Sequence, residues 1–463
     1  MKSAVILAGG PGTRIWPYAQ IRPKVMIPIA NKPIIGYITD TLKELGFDNI
    51  VIIGGNYSEQ IKNYFFTDEK ITVLDTANPK GAAFSIADAK SYIKDDTFLT
   101  LYGDTVISKT DVKRLIEKHE SGKESVTALV SMLKHERCNE HICCSVENDY
   151  IEHIAAHPRG EYDSEYYVFA AYAFDKSFMP YLSNNPGMFT GESGNLQVGM
   201  MPATEGFVEA SVADYMKRGN RVAATITEET FIDIDKPWHI LLANHIMVEK
   251  LCNQIEDNSE KNDSVDPTAS IKGKVRLGRG SKIGRNVIIN GNVILGDDSV
   301  IENGAILSGN VIIGKNSYVG NYCLVEGNTT IGDRCVVSHC AELSGMIMDG
   351  VYLYHYMEIS GIVGTNTDIG AATVCGTLRF DDGDTTHRVK GRKEVPKYFS
   401  NDVYIGDYCR TGVNAILMPG KKVGVYSIVG PGVLLTEDVP DRTIVTVSQT
   451  LIKKEWGPEK YGW

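Results

Sequence analysis

The chain has 463 residues, 43% of them hydrophobic and 23% charged, and a formal net charge of -11 at pH 7. That length exceeds one ordinary core and predicts two or three domains, while the acidic balance argues against nucleic acid as a main partner. The sequence shows no secretory signal and no apolar run of membrane-spanning length, so we expect a cytoplasmic protein without a membrane partner.

The first predicted element is a short buried strand, residues 4–7, which leads into Gly-Gly-Pro-Gly-Thr-Arg at residues 9–14. Glycines let the main chain approach phosphate oxygens closely and turn its N–H groups toward them. Arg14 and the later Lys24 would add positive charge. The spacing matches neither the Walker A loop nor the dinucleotide-binding fingerprint. The segment therefore indicates either a tight strand-to-helix turn or a site for the phosphates of a nucleoside triphosphate.

Short β-branched runs alternate with helical patterns up to about residue 250, which predicts an α/β fold with a parallel sheet flanked by helices. The predicted strands are residues 4–7, 50–53, 71–74 and 98–101, and the predicted helices are residues 34–45, 58–65, 82–93 and 111–119. Ligands of such sheets bind at the carboxyl ends of the strands. The glycine-rich loop follows one strand and Gly103-Asp104 follows another, so both should face the same crevice.

The opening motif resembles the signature of the sugar-1-phosphate nucleotidyltransferases, Gly-Gly-x-Gly-Thr-Arg-Leu-x-Pro closed by Pro-Lys. This chain reads Gly-Gly-Pro-Gly-Thr-Arg-Ile-Trp-Pro at residues 9–17, then Pro23-Lys24. The resemblance implies a Rossmann-like domain that transfers a nucleotidyl group from a nucleoside triphosphate to a sugar 1-phosphate and releases pyrophosphate, an activity of the EC 2.7.7 type. UTP or dTTP with a glucose- or N-acetylglucosamine-type phosphate is the favoured pair. Mannose-1-phosphate guanylyltransferase is the alternative, and Trp16-Pro17 does not decide between them.

The resemblance also implies a magnesium site, because negative charge builds on groups that are already charged. In that family one aspartate after a central strand and a second near the domain end bind Mg²⁺. Asp104 fits the first and Asp233 the second, with Asp235 as the alternative to Asp233. Arg14 would contact the leaving pyrophosphate, and Lys24 the α-phosphate or the sugar phosphate. The implied nucleotide-binding residues are Leu7, Ala8, Gly9, Gly10, Gly12, Thr13, Asn78, Gly81 and Gly103.

The family motifs that contact base and sugar are altered in this chain. Asn-Pro-Lys-Gly-Ala-Ala at residues 78–83 stands where the family carries a segment such as Gly-Thr-Ala-Gly-Ala. Ala-His-Pro at residues 156–158 replaces Glu-Lys-Pro, and only residues 208–211 lie near the usual Glu-x-Thr-Asp. His157 either replaces the lysine or is structural. The sequence therefore predicts phosphate binding in more detail than sugar identity.

Beyond a polar segment at residues 254–267, aliphatic side chains recur at every sixth position. They are Ile271, Leu277, Ile283, Ile289, Leu295, Ile301, Leu307, Ile313, Val319, Val325, Ile331, Val337 and Leu343. A period of six fits neither a helix nor an ordinary strand, but it is typical of a hexapeptide parallel β-helix, which in the hexapeptide families is left-handed. The predicted organisation is a nucleotidyltransferase domain at residues 1–250, a linker at 251–267 and a left-handed β-helix at 268–463. We expect a homotrimer formed through the β-helix; a solenoid that only stacks is the alternative.

The repeat is interrupted at about residues 380–401 by a segment rich in lysine and arginine. Its cations are Arg388, Lys390, Arg392, Lys393 and Lys397. An irregular basic insertion in a regular coil is either a binding loop carried by a rigid scaffold or a solvated charged loop. The sequence leaves both interpretations open.

Residues 271–439 resemble the acetyltransferase domain of bifunctional enzymes that acetylate glucosamine-1-phosphate with acetyl-CoA and then uridylylate the product. The resemblance depends on Gly-Ala-Ala-Thr at residues 370–373, Leu-Arg-Phe-Asp at 378–381, Val-Lys-Gly-Arg at 389–392 and Arg-Thr-Gly-Val-Asn at 410–414. That family uses a histidine as general base, and His355 occupies the matching place. Acetyl-CoA would then be a co-substrate, in an activity of the EC 2.3.1 type.

Two departures from the acetyltransferase pattern leave that second activity open. Glu358 ends a motif that reads His-x-x-Tyr in the family, and Thr377 stands where an asparagine precedes Leu-Arg-Phe. His355 is either the base or a packed histidine at a coil corner. Two other functions remain alternatives: an acyltransferase whose first half only binds nucleotide, and a regulatory protein with a degenerate transferase domain.

Overall fold

The computed structural model describes residues 1–76, 80–133, 138, 141–156, 164–186, 206–229, 232–258 and 264–461. The chain divides into two compact units, Met1–Met247 and Val248–Trp463. Among the described residues, no helix has both the length and the apolar character needed to span a membrane.

The first unit contains a nine-stranded sheet with helices on its faces and two further pairs of short strands. Its strands are β1 (Ser3–Ala8), β2 (Pro28–Ile29), β3 (Lys32–Pro33), β4 (Asn49–Gly54), β5 (Ile71–Asp75), β6 (Thr97–Tyr102), β7 (Thr105–Val106), β8 (Val126–Met132), β9 (Ile142–Glu147), β10 (Tyr150–Ala156), β11 (Tyr166–Asp175), β12 (Ala223–Ile226) and β13 (Ile232–Asp233). Its helices are α1 (Ile34–Glu44), α2 (Ser58–Tyr64), α3 (Ala82–Asp88), α4 (Lys109–Ser121), α5 (Met179–Ser183), α6 (Val208–Lys217) and α7 (Pro237–Asn253), the last of which extends into the second unit. The large sheet has the order β5-β4-β1-β6-β11-β8-β12-β10-β9.

The predicted strands form a run of four neighbouring parallel strands in this sheet. β1 pairs in parallel with β4 and with β6, and β4 pairs in parallel with β5. A strand that is buried on both faces has a nearly continuous run of apolar residues, and β1 is such a strand. Leu7 and Tyr102 are register partners at the ends of β1 and β6. The glycine-rich loop and Gly103-Asp104 therefore leave the sheet at the same edge, as the sequence predicts.

Two features of the sheet go beyond the sequence prediction. β11 lies antiparallel between β6 and β8, and β9 and β10 form an antiparallel pair at the far edge. The predicted helix at residues 82–93 is divided into α3 and a 3₁₀ turn at Ala89–Tyr92. The sheet is thus mixed, and the glycine-rich loop follows β1 within its run of four parallel strands.

The second unit consists of short parallel strands in successive coils, followed by the helix α8 (Pro458–Tyr461). The strands are β14 (Ser270–Ile271), β15 (Val275–Leu277), β16 (Lys282–Ile283), β17 (Ile288–Ile289), β18 (Val293–Leu295), β19 (Val300–Ile301), β20 (Ile306–Leu307), β21 (Val311–Ile313), β22 (Tyr318–Val319), β23 (Leu324–Val325), β24 (Thr329–Ile331), β25 (Val336–Val337), β26 (Glu342–Ile347), β27 (Tyr352–Leu353), β28 (Glu358–Val363), β29 (Asp368–Ile369), β30 (Val374–Cys375), β31 (His387–Val389), β32 (Arg392–Glu394), β33 (Val403–Ile405), β34 (Arg410–Thr411), β35 (Ile416–Leu417), β36 (Lys422–Val423), β37 (Ile428–Val429), β38 (Leu434–Leu435) and β39 (Ile444–Val445).

Apart from the β31–β32 hairpin, these strands stack into parallel columns, one coil above the next, which is the arrangement of a β-helix. Ile289 pairs with Leu307, which pairs with Val325 and then Leu343. The period-six side chains from Leu277 onward are buried in one continuous core. The prediction of a hexapeptide coil is therefore confirmed, because each inward position must be filled by an aliphatic residue.

The coil length changes along the β-helix. Early coils repeat every 18 residues, as in the pairing of Leu307 with Val325, whereas Ile331 and Ile347, like His339 and His355, are 16 residues apart. The basic insertion lengthens one coil, so that Ser360 contacts Asp402 at a separation of 42 residues. Within it, β31 and β32 form an antiparallel hairpin whose turn contains Lys390 and Gly391, both with positive φ.

Candidate active site

The glycine-rich loop forms a tight turn directly after β1. Gly12 has φ +61°, and a Cβ added to it would lie 2.7 Å from the Cβ of Ala19. Its carbonyl accepts a 3.1 Å hydrogen bond from the N–H of Ile15, which closes a 3₁₀ turn at Thr13–Ile15. Glycine is therefore required at position 12 by both backbone angle and space. The loop leads directly to Arg14.

Lys24 lies at the start of a second 3₁₀ turn, Lys24–Met26, and only 7% of the residue is exposed. Its Nζ donates to Oδ2 of Asp104 at 2.6 Å and to Oδ1 of Asp235 at 2.8 Å. A buried ammonium group is stable only when it is paired in this way. The sequence-predicted Lys24 and Asp104 are therefore in direct contact.

Two very short strands bring the aspartates together. β7 pairs antiparallel with β13, so that Asp233 lies opposite Thr105, and the N–H of Ile234 donates to the carbonyl of Asp104 at 3.0 Å. The N–H of Gly103 donates to the carbonyl of Leu7 at 2.8 Å, which fixes the chain beside the glycine-rich loop. Main-chain pairing therefore places two segments distant in sequence beside the phosphate loop.

The carboxylates of Asp104, Asp233 and Asp235 each offer an oxygen atom, and these oxygens lie within 4.8 Å of one another. Within the described residues this is the one group of three or more acidic, histidine or cysteine side chains that converges so closely. Carboxylate oxygens are the ligands that Mg²⁺ prefers in proteins. The chemistry of this donor set fits a magnesium ion.

Arg14 completes the charged cluster. Its guanidinium Nη1 lies 2.9 Å from Oδ2 of Asp235, and half of its side chain is exposed. Both carboxylate oxygens of Asp235 thus face a cation, Lys24 on one side and Arg14 on the other. Asp233 is the most exposed of the three aspartates.

The pKa values of these groups reflect the clustering of opposite charges. Burial lowers the pKa of Lys24, but the attraction of Asp104, Asp235 and Asp233 outweighs it and holds the pKa above its ordinary value. Burial raises the pKa of Asp235, yet Lys24 and Arg14 outweigh burial and lower it to about 2. Asp235 therefore remains ionised and holds both cations.

His239 is a further member of the site that the sequence analysis did not identify. Its Nδ1 lies 2.8 Å from the carbonyl oxygen of Asp233 and 3.2 Å from the N–H of Asp235. Burial and the nearby Lys236 lower the pKa of His239 to about 4, so the ring is neutral at pH 7. His239 supports the turn that carries both aspartates. The signal in the sequence is its position on the first turn of α7, four residues after Asp235.

The remaining predicted nucleotide-binding residues lie in different parts of the first unit. Leu7, Ala8, Gly9, Gly10 and Thr13 lie in or directly after β1. Gly81 directly precedes α3 with φ +117°, and a Cβ there would lie 2.3 Å from the backbone nitrogen of Gly206. Gly81 therefore packs against the segment before α6. Asn78 and His157 lie outside the described residues.

His355 lies in the second unit, at a corner of the β-helix, and is partly exposed. Its Nδ1 is 2.8 Å from Nδ1 of His339. Glu358, which departs from the acetyltransferase pattern, is the register partner of Glu342 on the neighbouring coil. In the Leu-Arg-Phe-Asp motif, Arg379 forms a two-contact ion pair with Asp381 at 2.7 and 2.8 Å.

Comparison with known proteins gives matches over both units. Residues 3–187 match the family model described as Nucleotidyl transferase, and residues 259–348 match the model described as GMPPB C-terminal domain. The chain is 30% identical over 454 residues to a protein of Methanococcus maripaludis named Bifunctional protein GlmU, which covers 97% of this chain and 98% of that protein. The protein of the same name from Methanococcus vannielii is 28% identical over 459 residues, 98% of this chain and 99% of that one. A Sulfurisphaera tokodaii protein named Bifunctional sugar-1-phosphate nucleotidylyltransferase/acetyltransferase is 26% identical over 440 residues, 94% of this chain and 98% of that one.

Proposed function

The chain belongs to the GlmU family of bifunctional sugar-1-phosphate nucleotidylyltransferases and acetyltransferases, and on this basis we propose that its first unit uses UTP or dTTP with a glucose- or N-acetylglucosamine-type 1-phosphate. In this reaction an oxygen of the sugar phosphate forms a bond to the α-phosphorus, and pyrophosphate leaves. The observation that carries the proposal is the convergence of Lys24 and three aspartates beside the glycine-rich loop.

Each cation has a distinct task in this proposal. Lys24 is buried and held by Asp104 and Asp235, so its ammonium group is fixed in place for the α-phosphate or the sugar phosphate. Arg14 is half-exposed and contacts Asp235 through one nitrogen atom. Its guanidinium group would therefore contact the leaving pyrophosphate on the solvent-exposed side of the site. The main-chain N–H groups of the loop would bind phosphate oxygens.

Asp104 and Asp233 are the proposed ligands of Mg²⁺. Both oxygens of Asp235 already face Lys24 or Arg14, whereas Asp233 is exposed and lies within reach of Asp104. The ion, when bound, would neutralise phosphate charge. Asp235 is assigned to positioning the two cations.

A panel of pyrophosphate-release assays tests the substrates. UTP, dTTP and GTP are each combined with the 1-phosphates of glucose, N-acetylglucosamine and mannose. We expect the highest kcat/KM for UTP or dTTP with a glucose- or N-acetylglucosamine-type phosphate. A maximum for GTP with mannose-1-phosphate would instead support the guanylyltransferase alternative. No pyrophosphate release with any pair would contradict the assignment of the first unit.

Acetyl transfer from acetyl-CoA to an amino-sugar phosphate is the proposed activity of the second unit. The observation that favours it is His355, a partly exposed imidazole at a coil corner with a polar partner that fixes its ring. Thiol release from acetyl-CoA in the presence of glucosamine-1-phosphate tests this activity. Thiol release without any pyrophosphate release would favour an acyltransferase whose first half only binds nucleotide.

A homotrimer formed through the β-helix is also part of the proposal. Val374, Ile416 and Leu434 are register partners on the outer side of successive strands, and all three are exposed. A row of exposed apolar side chains is typical of a protein interface. Light scattering of the full chain tests the trimer, and a monomer at micromolar concentration would contradict it.

A further inference from the structure

The imidazoles of His339 and His355 form a pair at a corner of the β-helix. Their Nδ1 atoms are 2.8 Å apart, the ring centroids lie 5.0 Å apart, and the planes are inclined by 44°. Tyr354 packs its ring edge-on against His355, with centroids 4.5 Å apart, and also contacts His339 at 5.9 Å. Both imidazoles are therefore held in defined orientations.

The corner that carries this pair is occupied by asparagine in the two preceding coils. Asn303, Asn321 and His339 all have positive φ. The carbonyl oxygen of each accepts a hydrogen bond from an N–H group one coil further on, and the donors are Tyr322, Cys340 and Tyr356, respectively. The Nδ2 of Asn303 donates to Oδ1 of Asn321 at 3.0 Å. Asparagine adopts this left-handed conformation readily and satisfies the corner with an amide ladder. The fold therefore does not require histidine at position 339.

The hydrogen bond between the two rings restricts their protonation. One Nδ1 must carry a proton and donate, and the other must accept. A general base needs a free lone pair on the atom that faces the substrate. If His355 acts as the base through Nε2, its proton must be on Nδ1, and His339 must accept that proton in a hydrogen bond through its own Nδ1.

We infer that His339 is a positioning residue for His355: it accepts the hydrogen bond from Nδ1–H of His355 and so keeps Nε2 free to act as the base. This inference rests on the proposed acetyl transfer. His339 would also stabilise the imidazolium of His355 once Nε2 has taken a proton, as the aspartate does in a catalytic triad.

The acetyl-transfer step balances with these groups. The amine nitrogen of the sugar forms a bond to the acetyl carbonyl carbon, and the carbon–sulfur bond breaks. The amine proton moves to Nε2 of His355 and then to the departing thiolate. His339 exchanges no proton with substrate, so its removal changes the basicity and orientation of His355 and leaves both substrates in place.

The other titratable groups around the pair are few. Tyr354 packs against both rings, Tyr356 flanks His355 with centroids 6.5 Å apart, and Cys340 follows His339 in the same turn. No ion pair joins either ring to a carboxylate within the part of the chain that the structure describes. A shift in the pH profile on changing His339 therefore reports on the pair itself.

Three full-length variants test the inference: His339→Ala, His339→Asn and His355→Ala. We expect His339→Ala to lower kcat for thiol release roughly ten- to hundredfold, with the KM for acetyl-CoA unchanged, because a hydrogen bond to a charged ring is lost. The pH profile of kcat should differ from that of the wild type, since His355 has lost its hydrogen-bond partner. His339→Asn should recover most of the activity and the profile, because the amide oxygen can accept the same hydrogen bond and asparagine suits this corner. Pyrophosphate release should stay unchanged in all three variants, which shows that the first unit is folded, and unchanged light scattering of the full chain reports on the β-helix.

Nitrogen-15 NMR of histidine-labelled protein gives a readout that does not depend on turnover. Neutral His355 should carry its proton on Nδ1 in the wild type and in His339→Asn, and should become a tautomer mixture in His339→Ala. A wild-type His355 protonated on Nε2, or wild-type kinetics and pH profile in His339→Ala, would overturn the role of His339. Absence of thiol release from the wild type, with His355→Ala giving the same background, would instead overturn the proposed acetyl transfer on which that role rests.

Discussion

Lys24 and Asp235 form a partly buried ion pair across 211 residues of sequence, with Nζ and Oδ1 2.8 Å apart. The second oxygen of Asp235 contacts Arg14, so one carboxylate fixes both cations proposed to bind phosphates. Groups held in place before the substrate arrives need no reorganisation during the reaction. The short β7–β13 pair makes this arrangement possible, because it brings the segment that contains Asp235 next to the segment that contains Asp104.

Removal of the buried ammonium group should separate catalysis from metal binding. We expect Lys24→Ala to lower the rate of nucleotidyl transfer at least about a hundredfold, because a preorganised cation is lost. The same change removes a positive charge next to Asp104 and Asp235, so Mn²⁺ used as a probe should bind the variant more tightly than the wild type. Calorimetry with Mn²⁺ and a pyrophosphate-release assay measure the two effects.

Lys62→Ala is the matched control for this change. Lys62 also contacts two acidic side chains, Glu59 and Asp75, but it lies on the surface. Exposed ion pairs contribute little, so activity and Mn²⁺ affinity should stay at wild-type values. Wild-type turnover in Lys24→Ala would refute the role given to Lys24.

Asp233→Asn and Asp235→Asn should have different effects on metal affinity. Asp233 is exposed and lies close to Asp104, whereas both oxygens of Asp235 are engaged by Lys24 and Arg14. We expect Asp233→Asn to weaken Mn²⁺ binding at least about tenfold, since affinity depends on the number of charged ligands. The Mn²⁺ affinity of Asp235→Asn should be closer to that of the wild type. Its rate of nucleotidyl transfer should fall, because Lys24 and Arg14 are no longer held in place. Electron paramagnetic resonance of bound Mn²⁺ measures the affinity of both variants. A larger loss of affinity in Asp235→Asn than in Asp233→Asn would make Asp235 the ligand.

The two units differ in how much their sequences reveal. In the β-helix every sixth side chain must fill the interior of a coil, so positions such as Leu307 and Val325 are predictable one by one. In the first unit, Lys24 and Asp104 are predictable because they belong to short motifs. Both kinds of signal are local in sequence.

The unpredicted contacts come from pairings between distant segments. Asp235 reaches Lys24 only because β13 pairs with β7, and two-residue strands leave no periodic signal. His339 reaches His355 because the coil between them is shortened to 16 residues, and a period of 18 would place a different residue beneath His355. Such contacts depend on register, which the hydrophobic pattern alone does not give.

Replacement of Gly12 should destabilise the first unit, whereas replacement of Gly10 should not. Gly12 has φ +61°, and a Cβ there would lie 2.7 Å from that of Ala19. A Cβ added to Gly10 would meet no atom within 4 Å, and Gly10 lacks a positive φ. We expect Gly12→Ala to lower the free energy of unfolding by about 1–3 kcal/mol and Gly10→Ala to leave it within about 0.5 kcal/mol. Urea unfolding measures both, and equal stabilities would contradict the strain assigned to position 12.

Acidification should loosen the basic insertion through His387. This buried side chain lies on β31 itself, and its Nε2 is 2.7 Å from the carbonyl oxygen of Ser400. Burial, with Lys422 nearby, lowers the pKa of His387 from 6.5 to about 4. The unfolded chain therefore binds a proton on His387 at a higher pH than the folded chain does. The contribution of neutral His387 to the free energy of unfolding is complete above pH 6.5 and is lost as the pH falls toward 4, a decrease of roughly 3 kcal/mol in total. Hydrogen exchange of residues 385–394 should accelerate over this range. His387→Gln keeps a donor for Ser400 but does not titrate, so its exchange should respond less to pH, and an identical response in both proteins would assign the effect to another group.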